Sequence, residues 1–128
     1  MADRRYAQSH EWCVLAGDVA SVGISQHASD ELGDLTFLDY RVAVGDTVAQ
    51  GDTVGEIDSV KATSEIYAPV AGTVEAINER FQSEDELPAI TSNPERDDAW
   101  LVKIKVSDPA AVEDLMDAAA YEAFCAKQ

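Results

Sequence analysis

The chain is short of positive charge and of the residues from which catalytic and metal sites are usually built. Its 128 residues carry nine Lys and Arg against 25 Asp and Glu, a formal net charge of −16. Phosphate backbones would repel such a chain, so nucleic-acid binding is excluded as a function class, and basic partner surfaces are favoured. Two cysteines, Cys13 and Cys125, are too few for a disulfide framework and form no metal-ligand pattern. Both are read as partly buried thiols in a reducing compartment. His10 and His27 lack the spacing of a metal pair, so no metal is expected. No G-x-S-x-G elbow or phosphate-binding glycine loop occurs, and His10-Glu11 alone is weak evidence for acid–base work, so no catalytic residue is assigned. No apolar run approaches the ~20 residues of a membrane span, and the start Met-Ala-Asp-Arg-Arg-Tyr has no hydrophobic stretch of a secretory signal.

What is present suffices for one folded unit. Apolar residues make up 46% of the chain, enough for a core in a single domain over residues 1–128. The acids are unevenly placed. Glu84, Asp85, Glu86, Glu95, Asp97 and Asp98 crowd one loop region, with Arg96 opposing them. The rest of the acid excess is read as solubility.

Turn residues divide the chain into short strands. Residues 12–15 and 19–24 read as a strand pair across Gly17-Asp18. Ser25 is placed to cap a brief helix over 26–32, and Gly33 to end it. Leu35, Phe37 and Leu38 predict another strand, extended through Tyr40, Val42 and Val44. Gly45-Asp46-Thr47-Val48 then recurs as Gly51-Asp52-Thr53-Val54. Two Gly-Asp turns six residues apart favour a tightly wound sheet over long hairpins, although a repeat of common turn residues also arises by chance. Residues 66–70, a turn at Ala71-Gly72 and a strand over 73–77 follow. Residues 78–98, with Pro88 and Pro94, read as a long polar excursion. Residues 101–106 alternate as a strand. Pro109 is expected at the first position of a helix whose apolar face is Val112, Leu115 and Met116. Asp117 is placed to cap a last helix carrying Tyr121, Phe124 and Cys125.

The lysines carry the functional signal because they are so few: Lys61, Lys103, Lys105 and Lys127. Lys61 falls in a short turn, with Asp58, Ser59, Val60 and Ala62 around it, between strand-like runs at 54–57 and 66–67. An amine held at a hairpin tip is offered to something. Glu56, Asp58 and Glu65 make the local charge negative, which argues against an anion-binding lysine. Taken alone, the turn leaves open the less favoured reading that Lys61 is an ordinary solvated side chain at a loop tip.

The block Ser59-Val60-Lys61-Ala62-Thr63-Ser64 resembles the attachment turn of the glycine cleavage system H proteins, a family of lipoyl carriers. The likeness extends over Ser9-His10-Glu11-Trp12, residues 17–24, Leu32-Gly33-Asp34, Val44-Gly45-Asp46, residues 100–105 and Ser107-Asp108-Pro109. It implies a mainly β fold with added helices, the barrel-sandwich hybrid of lipoyl and biotinyl domains: two antiparallel sheets plus C-terminal helices. It implies lipoate in amide linkage to Lys61, and a cleft for the arm lined by Ser9, Glu11 and Glu65. A carboxylate beside a protonated amine is electrostatically sensible there. The partners implied are a pyridoxal-phosphate glycine decarboxylase, a folate-dependent aminomethyltransferase, a dihydrolipoamide dehydrogenase, and a lipoate ligase or octanoyltransferase for loading. The implied role is an aminomethyl shuttle, not an enzyme, monomeric, in a bacterial cytoplasm or, after loss of a transit peptide, in a mitochondrial matrix.

Neighbouring families fit less well. Biotin carriers flank their lysine with methionine, where this chain has Val60 and Ala62. Lipoyl domains of 2-oxo acid dehydrogenases place aspartate before the lysine and continue into linkers. The chain departs from the H-protein pattern at Tyr40-Arg41-Val42-Ala43, in the long stretch from Phe81 to Trp100, and at Glu65, where aspartate is commoner. These departures motivate an alternative, an H-like lipoyl donor or interaction module outside glycine cleavage.

Overall fold

The computed structural model describes residues 4–95 and 97–127; Arg96 and the side chains of Glu84 and Asp97 lie outside the described residues, so the acidic cluster is seen only in part. Nine strands and four α-helices are described. They are β1 (Arg4–Tyr6), β2 (Glu11–Ala16), β3 (Val19–Ile24), α1 (Gln26–Leu32), β4 (Leu35–Tyr40), β5 (Thr47–Val48), β6 (Thr53–Ser59), β7 (Thr63–Tyr67), β8 (Gly72–Ile77), α2 (Leu87–Ser92), β9 (Val102–Val106), α3 (Ala110–Glu113) and α4 (Ala118–Ala126). Six strands form one antiparallel sheet in the order β1-β2-β3-β9-β8-β5, and three form a second, β4-β6-β7. The expected pair of antiparallel sheets with added helices is therefore the architecture, without closure into a barrel.

The core lies between the sheets. Ala20, Val22, Ile104 and Val74 from the larger sheet and Leu38, Val54, Ile57 and Ile66 from the smaller one are all buried. Alternation along these short strands sends every second side chain inward, so each strand supplies only a few apolar residues. A second cluster joins Trp12, Tyr6 and Tyr121 on the other face of β1 and β2. There α4 stacks its Tyr121 on Tyr6, with ring centroids 4.3 Å apart.

The Gly-Asp repeat is one turn built twice. Asp46 Oδ2 accepts from the Ala43 amide at 2.9 Å, and Asp52 Oδ2 accepts from the Ala49 amide at 2.8 Å. Gly45 N donates to Val74 O at 2.8 Å, and Gly51 N donates to Ala68 O at 2.9 Å. Both glycines have positive φ, +98° and +91°. The first turn joins the larger sheet through β5 and β8, and the second feeds the smaller one through β6. The repeat thus carries the chain from sheet to sheet, which a chance recurrence would not do.

Five sequence expectations need correction. Strand β4 stops at Tyr40; Val42 and Val44 lie outside it, with Val44 61% exposed, because the Gly45 turn ends the pairing. The excursion over 78–98 carries helical turns that the sequence reading did not mark. It holds 3-10 turns at Glu79–Gln82 and Glu84–Glu86, then α2, which buries Leu87 and Ile90. Pro109 takes the capping position ahead of α3 and not the first helical one. Helix α3 ends at Glu113, so Met116 is not on a helical face; it bridges Tyr6 of the unpredicted β1, which pairs with β2. Cys13 is fully buried, not partly. The helix over 26–32 and the Asp117 cap of α4 are as expected, with Ser25 Oγ accepting from Ala28 N and Asp117 Oδ1 from Ala120 N. Among the described residues no helix is long and apolar enough to cross a membrane.

Candidate functional site

Lys61 sits at the tip of the β6–β7 hairpin. The last paired residues are Asp58 and Thr63, and Ser59 N donates to Ala62 O at 2.8 Å. The Ser59 hydroxyl fastens the turn. It donates to Ala62 O at 3.0 Å and accepts from the amides of Lys61 at 3.2 Å and Ala62 at 3.0 Å. Thr63 Oγ1 donates to Asp58 Oδ1 at 2.9 Å across the base. Asp58, Ser59, Val60 and Ala62 are thus brought together in one tight turn around Lys61, with Val60, Lys61 and Ala62 exposed. A serine uses its one donor and two acceptors here to satisfy backbone groups that a tight turn leaves open.

The turn is also braced from the side. Val60 N donates to Asp34 O at 3.1 Å, and Leu35 pairs with Ser59. Gly33, at the end of α1, has φ +74°, and a Cβ there would come within 2.9 Å of Lys61 Cε. The lysine stem therefore crosses a residue with no side chain. Gly33 and Asp34 belong to the site, although the sequence marked Gly33 only as a helix stop.

The acids expected around Lys61 each have another partner. Glu56 pairs with Arg41, Asp58 takes Thr63, and Glu65 Oε2 accepts from Tyr67 Oη at 2.8 Å. Among the described residues none makes an ion pair with Lys61.

Ser9, Glu11 and Glu65 are connected through Tyr67, a residue that the sequence marks only as plain strand. Glu11 opens β2 and is only 2% exposed. It accepts hydrogen bonds from Ser9 Oγ and, at 3.3 Å, from Tyr67 N. Tyr67 reaches Glu65 at its other end. Residues 65 and 67 share one face of β7, and that period of two was the available signal. Burial pushes the Glu11 carboxyl up from an ordinary 4.5 to about 7, against the opposing pull of its hydrogen bonds to Ser9 and Tyr67. The hydrogen bond to Glu65, with its charge, raises the Tyr67 phenol above its ordinary value. Ser9 and Tyr67 line an open cleft of about 510 Å³, closed elsewhere by Ala7, Gly51, Pro69 and Leu115. The cleft lies at the far end of β7 from Lys61.

A braced tip bearing one exposed amine, with a mostly apolar cleft farther along the same strand, suits a tethered group that is alternately held and released. Comparison with known proteins shows which lineage built it. The model of the glycine cleavage H-protein family matches residues 4–128. The chain belongs to the glycine cleavage H-protein family. It is 46% identical over 127 residues to the glycine cleavage system H protein of Nitratidesulfovibrio vulgaris, covering 99% of this chain and 95% of that one. It is 41% identical over 128 residues to the H protein of Thermotoga maritima, covering all of both. The crystal structure of a glycine cleavage system H protein from Mycobacterium marinum superposes with a TM-score of 0.83 at 31% identity, over 98% of each chain. The family consists of lipoyl carriers and not of enzymes in their own right. The matches run through the departures at residues 40–44 and 88–99, and no observation favours a role outside glycine cleavage.

Proposed function

We propose that this chain is the lipoate-bearing shuttle of a glycine cleavage system and that Lys61 is its attachment residue. The observation that carries the proposal is the Lys61 amine, exposed on a turn pinned by Ser59 and Asp34, in a chain of this family. The residues fit the group. A loading ligase or octanoyltransferase needs an unhindered amine at a fixed position. The tip provides both, with Gly33 leaving room beside the stem. When bound, lipoate supplies a disulfide ring that takes up the aminomethyl unit from a glycine decarboxylase, yields it to an aminomethyltransferase and is restored by a dihydrolipoamide dehydrogenase.

The protein's own contribution is placement and shelter. The hairpin fixes the base of the arm while the arm keeps its freedom. Ser9 and Tyr67 line the cleft, Glu11 lies buried behind them and is held by both, and Glu65 meets Tyr67 Oη. Burial raises the Glu11 carboxyl, and a cationic amine held in the cleft in front of it would favour its ionised form. The acidic surface suits basic rims on the partner enzymes, and a monomer suits sequential visits. The compartment proposed is a cytoplasm or mitochondrial matrix that holds those partners.

The test is reconstitution. Loaded protein supports glycine–bicarbonate exchange by a glycine decarboxylase, and the Lys61→Arg variant does not. Exchange by Lys61→Arg at the parent rate would remove the lysine from the mechanism.

A further inference from the structure

Sequence spacing gives His10 and His27 no metal pairing, and Cys125 stands 98 residues beyond the second of them. The fold collects all three. His10 stands in the turn before β2, His27 in α1, and Cys125 in the last turn of α4. One ligand-capable atom from each lies within 4.8 Å of the others. The two imidazoles stack with centroids 4.6 Å apart. Tyr121 Oη lies 2.6 Å from His10 Nδ1 and 2.6 Å from Ser25 Oγ, which fixes the orientation of the first ring. Metal-bound histidines are usually oriented in this way, through the other nitrogen.

Two independent features of the cluster point to a ligand. His10 has φ +75°, the positive value found outside glycine among the described residues. Such backbone strain gathers where a site needs it. His27 Nε2 is buried without a hydrogen bond; Glu31 Oε1 is 3.1 Å away but out of line with the ring N–H direction. Buried ring nitrogens are rarely left so unless a partner is missing.

We propose that His10, His27 and Cys125 bind one zinc ion, with the fourth position taken by water or Glu31. Two imidazoles and a thiolate are the donor set of a borderline-soft cation, whereas magnesium and calcium require oxygen. Binding converts the Cys125 thiol to thiolate and releases its proton to solvent. Bonds of ~2.0–2.3 Å in a tetrahedron place ligand atoms roughly 3.3–3.8 Å apart, so the cluster must close by about 1 Å. Cys125, half-buried in the last turn of α4, is the member whose side chain would shift to close it. The strongly negative chain concentrates divalent cations around the site. Occupancy ties α4 to the turn that carries Ser9, and so steadies one wall of the cleft.

Cobalt(II) titrated into the full chain, stripped first with a chelator, tests the assignment. Expected are one equivalent bound, tetrahedral absorption with a thiolate-to-cobalt band, and stoichiometric displacement by zinc. Loss of an outer-sphere partner alone costs about 10–100-fold in metal affinity, so Cys125→Ser and His27→Gln are each expected to weaken binding more than ~100-fold. Cys13→Ser keeps the band, and circular dichroism establishes that each variant is folded. Zinc raises the unfolding midpoint of the parent but not of Cys125→Ser. The proposal is overturned by a parent protein that gives no thiolate band, by a band that survives in Cys125→Ser, or by equal, salt-screened binding in all variants.

Discussion

Replacing Glu11 by glutamine should make the protein more stable at neutral pH, although Glu11 is buried and accepts two hydrogen bonds. The carboxyl has an ordinary value of 4.5 in the unfolded chain and about 7 in the fold, raised by burial. Each pH unit of that gap is worth ~1.4 kcal/mol, so ionising Glu11 inside the protein costs about 3 kcal/mol. The sign follows from proton counting. Below pH 4.5 both states hold the proton and nothing is lost. Between 4.5 and 7 the native form keeps a proton the unfolded chain has released, so stability falls as pH rises. Above 7 both are ionised and the full penalty applies. Glutamine removes the charge and keeps the contacts: its carbonyl accepts from Tyr67 N, and its amide donates to Ser9 Oγ. Urea unfolding of parent and Glu11→Gln at pH 5 and pH 8 measures the difference, and the −16 background cancels in the comparison. The variant should gain up to about 3 kcal/mol at pH 8 and much less at pH 5. In a chain of this length that gain is a midpoint rise of roughly 10 °C. A constant difference at both pH values would refute the reasoning. The same variant should hold the loaded cationic arm less well, a trade of function for stability.

The turn and the close approaches give sharper structural tests. Ser59→Ala removes one donor and two acceptors from the tip and should cost ~1 kcal/mol in urea unfolding while slowing ligase-catalysed loading; an unchanged loading rate would show that the turn needs no such fastening. Gly33→Ala forces a side chain into φ +74° against the Lys61 stem, with an expected loss of about 1–3 kcal/mol, and parent-like stability would refute the strain argument. Gly72→Ala places a Cβ 2.1 Å from the Lys105 carbonyl oxygen inside the β8–β9 ladder. No cooperatively folded protein is expected from that change, by circular dichroism and thermal unfolding; a native melt would contradict the pairing of Gly72 with Val106.

Local signals were legible where one segment sufficed. Ser25 and Gly33 bounded α1 because a cap and a left-handed stop are both written in the chain. Lys61 stood out because turn formers and strand runs flanked it directly. Tertiary effects stayed hidden. Arg4–Tyr6 has no pattern of its own and becomes a strand only by pairing with β2 and meeting Met116. Helix α2 was masked by Pro88 and surrounding acids, yet proline is tolerated in a first turn, and Leu87 and Ile90 alone showed the helical spacing. In the site, Ser9, Glu11 and Glu65 were named by resemblance, but the tyrosine joining them was not. The grouping of His10, His27 and Cys125 needs three remote segments and leaves no trace in spacing.

The shuttle role depends on where the arm is attached, and peptide mapping by mass spectrometry after loading with lipoate and a ligase reads that directly. The prediction is one lipoyl adduct, on the peptide containing Lys61, and none on the Lys61→Arg variant. An adduct on Lys103, Lys105 or Lys127, or no adduct on the parent chain, would contradict it.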